Sequence, residues 1–99
     1  MYQTISVDEF YQKNKKETLS ILDVREGYEY DNGHIETAVN LPLSQLVQDA
    51  ESLDETTHHY IVCQSGGRSG QACAYLSKLG YNVTNVMGGM STWKGEVTR

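Results

Sequence analysis

Within Cys63-Gln64-Ser65-Gly66-Gly67-Arg68-Ser69 a thiol, two glycines, a guanidinium and two hydroxyls share seven consecutive positions. The apolar run Tyr60-Ile61-Val62 precedes them and reads as a buried strand; Gln71 to Leu79 follows and reads as a helix. The thiol therefore stands at a strand end, facing a helix N-terminus across a glycine turn. Glycine lets neighbouring backbone N–H groups converge in ways other residues resist. A helix N-terminus adds unpaired N–H groups and positive potential. Such a cradle holds anions and lowers the pKa of a thiol placed in it. The stretch predicts an activated cysteine, Cys63, facing an anionic sulfur or phosphate group.

The elements that position this loop follow from periodicity. Gln3-Thr4-Ile5 reads as a short strand, and Ser6 with Glu9 as a capping box opening a helix with Val7, Phe10 and Tyr11 on its apolar stripe. Leu19 to Val24 reads as a strand covered on both faces, with Arg25-Glu26 at its C-terminal end. Tyr28 to Asp31 reads as one helical turn and Ala38-Val39-Asn40 as a short strand. Leu43, Leu46, Val47 and Ala50 repeat at helical spacing, with Ser44 as cap. Ala72, Cys73, Leu76 and Leu79 form the apolar stripe of the helix after the loop, and Gly80 stands where a helix C-terminal glycine belongs. Asn82 to Met87 is the last strand, firmest at Asn85-Val86-Met87; Gly88-Gly89 turn the chain into a short closing helix, Met90 to Gly95.

Strands alternating with helices predict an α/β fold: a central, mostly parallel five-stranded sheet flanked by helices on both faces. In such sheets ligands bind beyond the carboxyl ends of the strands. Arg25, Cys63 and Gly88-Gly89 all fall there.

Composition narrows the function. The 99 residues suit one domain, 1–99. A formal charge of −5 without a Lys/Arg stripe argues against nucleic-acid binding, and any anion site must be local. No leader pattern and no apolar run of membrane-spanning length is present, so no membrane association and a cytoplasmic location are expected. Cys63 and Cys73 lack metal-ligand spacing, although His58 and His59 stand nearby; two free thiols and no metal are expected. Cys73, on the helix stripe, reads as a packed core residue, and Trp93 first as a core aromatic.

The chain resembles the rhodanese-like domains over nearly its whole length. The resemblance rests on Asp23-Val24-Arg25-Glu26, Gly33-His34-Ile35, Ala38 to Pro42, the loop Cys63 to Ser69, and Gly88-Gly89 followed by Trp93. It implies a sulfurtransferase without metal or organic cofactor, in which Cys63 becomes a persulfide. Gln64, Ser65, Gly66, Gly67, Arg68 and Ser69 match the loop whose amides surround that sulfur, and Arg25 matches an arginine that in some members meets the anionic donor. Asp23 matches a carboxylate with a local structural role, and His34 a position with no clear chemical one. The implied partners are a small anionic or persulfide sulfur donor and a thiol acceptor, which can be a protein; a monomer is expected. Arg68 is the only cation in this loop, so a persulfide is expected to serve as donor better than thiosulfate. Two alternatives stand beside this reading. One is a cysteine-dependent phosphatase of related fold, disfavoured because four residues rather than five separate Cys63 from Arg68. The other is a noncatalytic binding module, disfavoured because the cysteine is present.

Overall fold

A computed structural model describes residues 1–99. The strands are β1 (Gln3–Ser6), β2 (Ser20–Asp23), β3 (Val39–Asn40), β4 (His58–Val62) and β5 (Asn82–Met87). They form one sheet in the order β1-β5-β4-β2-β3, and every pairing is parallel. The principal helices are α1 (Val7–Lys16), α2 (Gly27–Asp31), α3 (Leu46–Asp49) and α4 (Gly67–Lys78). None is long and apolar enough to cross a membrane.

Strand alternation divides the core into two layers. On one face Leu22, Ile61, Cys63 and Val83 pack against Leu46 of α3, Ala50 just beyond it, and Ala72, Cys73 and Leu76 of α4. On the other, Ile21, Tyr60, Val62 and Val86 pack against Val7 and Phe10 of α1, with Trp93 alongside. Trp93 meets Phe10 at 5.7 Å and Tyr11 at 5.3 Å between ring centroids, half-buried against the edge of the core rather than within it. Cys73 is fully buried, also as expected.

Local chemistry sets the element ends. The Ser6 hydroxyl accepts the Glu9 N–H at 3.1 Å and caps α1. Gly80 adopts φ +97°, and Tyr81 N–H returns to Leu76 C=O at 3.1 Å to close α4. Four expectations give way. The closing element is a 3-10 turn over Gly89–Thr92 rather than a helix from Met90 to Gly95. α4 begins at Gly67, four residues before the expected start at Gln71, because its first turn belongs to the loop. Leu43 to Ser52 is a short α-helix between two 3-10 turns rather than one helix; Val47 is exposed, and Ser44 donates to Glu26 Oε1 at 2.9 Å instead of capping. Leu79, the last residue of the expected stripe, is exposed where α4 ends.

Candidate active site

Cys63 follows β4, a strand second to none in burial, and its side chain points to the α4 face. The residues after it are held from outside. Cys63 C=O accepts Met90 N–H at 2.8 Å, Gln64 C=O accepts Ser91 N–H at 2.8 Å, and Ser65 C=O accepts Gly88 N–H at 3.0 Å. In a trans peptide the C=O and the following N–H point in opposite directions. Tying three consecutive carbonyls outward therefore turns the N–H groups of Gln64, Ser65 and Gly66 toward the other side, where the sulfur lies. Gly66 N–H reaches Cys63 Sγ at 3.0 Å.

The glycines are required by this clasp. Gly89 sits at φ +54°, and a Cβ there would stand 2.3 Å from Cys63 O and 2.8 Å from the Gln64 carbonyl. Gly66 has φ +125°, and a Cβ there would meet Met87 Sδ at 2.8 Å. Gly67, by contrast, has open space around it.

The first turn of α4 completes the cup. Ser69 is fully buried, and its Oγ lies 3.3 Å from Cys63 Sγ. Its hydroxyl donates to Oδ1 of Asn85, a buried residue of β5. Burial alone pushes the Cys63 thiol up, but the Ser69 hydroxyl, which can turn to the thiolate, and the Ser69, Gly66 and Ser65 backbone N–H groups outweigh it and leave the thiol below its ordinary pKa. Burial pushes Cys73, with no such donors, up to about 12. The site is a cup around one sulfur rather than a cleft: surface clefts of about 270 Å³ to 480 Å³ include no residue of 63–69.

Both arginines are engaged. Arg68 forms a fork with Glu29 of α2, Nη1 to Oε1 at 2.6 Å and Nη2 to Oε2 at 2.8 Å. That contact, with the Glu26 N–H, holds the Glu29 carboxyl down at about 2. Arg25, expected to meet the anionic donor, is buried in a pair with Asp23. It is 5% exposed; its Nε and Nη2 bind the fully buried Asp23 carboxylate, with Nη2 to Oδ2 at 2.8 Å, and Nη2 also reaches Gly33 C=O at 2.8 Å. Asp23 and Arg25 are two apart in an extended chain, which places both side chains on one face.

Of the residues singled out from sequence, the fold gathers Cys63, Gly66 and Ser69 around the sulfur. Gln64, Ser65 and Gly67 are exposed, although the Ser65 N–H is still turned to the sulfur. Arg68 points sideways to α2, and Arg25 lies in a separate pair. His34 stacks on Tyr30 at 3.6 Å and ties into the backbone by Tyr30 O. Asn85 and Glu29 escaped sequence reasoning. Asn85 carried one signal: in a strand, the alternation that sends Val86 to the α1 face sends its neighbour toward α4. Glu29 carried none, because Arg68 lies 39 residues away.

A family model described as "Rhodanese-like domain" matches residues 6–96. Among curated proteins, "Putative sulfur carrier protein YrkF" of Bacillus subtilis is 43% identical over 93% of this chain; the chain spans about half of that relative, 51% of its length. "Thiosulfate sulfurtransferase GlpE" of Shewanella oneidensis is 31% identical, with 93% of this chain and 92% of that protein covered. Among solved structures, a rhodanese-related protein from Thermoplasma volcanium superposes with a TM-score of 0.90 at 32% identity, covering 98% of each chain. A rhodanese-like domain protein from Staphylococcus aureus does so with a TM-score of 0.88 at 33% identity, covering 95% of this chain and 93% of that one. With its parallel sheet, its cysteine cup and these matches over nearly its full length, the chain belongs to the rhodanese-like family.

Proposed function

We propose that this protein is a sulfurtransferase that carries sulfane sulfur as a persulfide on Cys63. The observation that carries the reading is the orientation of the loop, with carbonyls tied outward to residues 88–91 and N–H groups turned inward on a buried sulfur. That arrangement favours negative charge on Cys63 and, one atom further out, on a sulfur bound to it.

The Cys63 thiolate attacks the outer sulfur of the donor. A Cys63 S–S bond forms as the donor's bond to that sulfur breaks, and the electron pair leaves with sulfite or a thiolate. Both are stable anions, so the step needs no general acid. A second nucleophile, a cellular thiol or cyanide in an assay, then takes the outer sulfur and restores the Cys63 thiolate. This is covalent catalysis with ping-pong kinetics. A well-aimed donor of the cup is worth about 3 kcal/mol to such a step.

The donor class follows from the charges. Asp23 neutralises Arg25 and Glu29 neutralises Arg68, so the loop carries no unpaired cation for a dianion. A persulfide, delivering its outer sulfur with less charge than thiosulfate, suits this site better. The acceptor is a thiol, on a small molecule or a protein. The same pairing weighs against phosphoryl transfer, in which the loop arginine would have to face the equatorial oxygens rather than Glu29.

The test is incubation with a persulfide or thiosulfate, followed by intact-mass measurement and cyanide. One added sulfur atom mapped to Cys63, released as thiocyanate, is the expected result. Turnover with no sulfur on Cys63 would overturn the assignment.

A further inference from the structure

The Ser69 hydroxyl has one proton and stands between two acceptors, Cys63 Sγ and Asn85 Oδ1. All three residues are buried, with exposures of 0% for Ser69, 1% for Cys63 and 3% for Asn85, so no bulk water supplies a missing donor. We infer that Asn85 is a positioning residue that governs the acidity of Cys63 through the direction of the Ser69 proton. The inference rests on Cys63 being the nucleophile, and it adds a control that acts from β5, across α4.

Two arrangements satisfy the cluster. With Cys63 as thiol, its S–H donates to Ser69 Oγ, the Ser69 O–H donates to Asn85 Oδ1, and Asn85 Nδ2 donates to Gly66 C=O at 3.4 Å. With Cys63 as thiolate, the sulfur can only accept, and the Ser69 O–H must turn to it. Asn85 Oδ1 then faces a hydroxyl oxygen with no proton between them. A half-turn of the amide about its last side-chain torsion presents Nδ2–H to Ser69 Oγ instead; it gives up the long contact with Gly66 and leaves Oδ1 facing that carbonyl, which keeps the Gly70 N–H at 3.1 Å. Asparagine serves both states because its amide has a donor end and an acceptor end. An aspartate accepts only and holds the Ser69 proton away from sulfur. A leucine neither accepts nor donates and leaves that proton to sulfur.

Other groups do not confuse the readout. The titratable groups within electrostatic reach of Cys63 are Arg68, clamped by Glu29, and Cys73 on the same helix. Asp23 and Arg25, at the end of the neighbouring β2, neutralise each other. All four are common to every variant compared; Asn85→Asp also adds a carboxylate near the sulfur, so the Asn85→Leu shift and its loss in the Ser69→Ala background decide the matter.

The experiment is the pH profile of Cys63 alkylation by iodoacetamide, read by peptide mass spectrometry, which requires no sulfur donor and so stands or falls separately from the sulfurtransferase reading. Asn85→Asp should move the midpoint up and Asn85→Leu should move it down, each by about one pH unit, the scale of one hydrogen bond. In a Ser69→Ala background Asn85→Leu should no longer move it. Shifts of the same sign, no shift, or a Leu effect that survives Ser69→Ala would overturn the proposal. Wild-type protein gives an answer even where a variant does not fold. By NMR the Asn85 side-chain amide should exchange its contact with Gly66 for one with Ser69 at the midpoint of Cys63 alkylation. An amide that keeps Gly66 as its partner throughout the titration would overturn it.

Discussion

The carboxylate of Glu29 and the guanidinium of Arg68 meet edge to edge across the gap between α2 and α4, with both oxygens and both terminal nitrogens engaged. The cation nearest the cup is thereby committed to the protein before any donor arrives. Glu29→Gln should release it. The KM for thiosulfate should fall about threefold to tenfold, the scale of one partly exposed charge, while that for an uncharged polysulfide donor changes little. Steady-state kinetics with both donors would check this; equal changes for the two would mean that Glu29 does not select on charge.

The same pair makes a prediction about acid stability. The Glu29 carboxyl lies at about 2 in the fold against an ordinary 4.5. A depressed carboxylate stabilises the fold above its unfolded value, and that contribution is lost as pH falls through the folded one. Wild type should therefore exceed Glu29→Gln in urea resistance at neutral pH, and the gap should narrow from about pH 4.5 downward and close near pH 2. A gap independent of pH would remove the ion pair as its cause.

Cys63→Ser should abolish sulfur transfer and leave the fold intact, since serine packs in nearly the same space but holds no sulfane sulfur. Brief alkylation near neutral pH should label Cys63 far ahead of Cys73, whose thiol sits at about 12. Peptide mapping that finds the two equally labelled in folded protein would contradict the activation described for the cup.

Gly89→Ala forces a side chain into the 2.3 Å approach to the Cys63 carbonyl at a positive φ. The expected cost is on the order of 1–3 kcal/mol, with loss of sulfur transfer well beyond the loss of folded protein. Thermal melts and activity measured on the same sample separate the two. Gly67→Ala, with open space at its Cβ, serves as the control and should leave the melting temperature within a few degrees of wild type.

Arg25→Met removes one partner of a buried pair and strands the Asp23 carboxylate, which is fully buried. Breaking such a pair costs roughly 3–5 kcal/mol. The expected phenotype is instability with an unchanged KM for thiosulfate in the fraction that remains folded. A raised KM in stable protein would restore Arg25 to the donor's path.

These residues also mark how far the sequence reaches. The strand and helix that flank the loop and the glycine pair beyond β5 are legible because they depend on local patterns: an apolar run, a glycine turn, a helix N-terminus. Arg25, a cation just past a strand end, looks available but is paired with Asp23. The pairing was nonetheless visible in principle, since Asp23 shares its face two residues earlier. Asn85 looks like an ordinary polar strand residue; only the central place of β5, between β1 and β4, buries it. The partnership of Glu29 with Arg68 has no local trace, because it arises only when α2 and α4 are set side by side. Val47 and Leu79 fit helical spacing but lie where the helices are too short or already ending.

The clasp formed by Gly88, Met90 and Ser91 has a consequence for how the chain comes into being. The residues that turn the loop amides inward are made some 25 positions after the cysteine they activate. A growing chain that has reached only α4 carries the full Cys63 to Ser69 motif but not its anchors, so its thiol should be less acidic than in the finished fold. A synthetic peptide of residues 58–79 should alkylate like free cysteine, however faithfully it reproduces the motif.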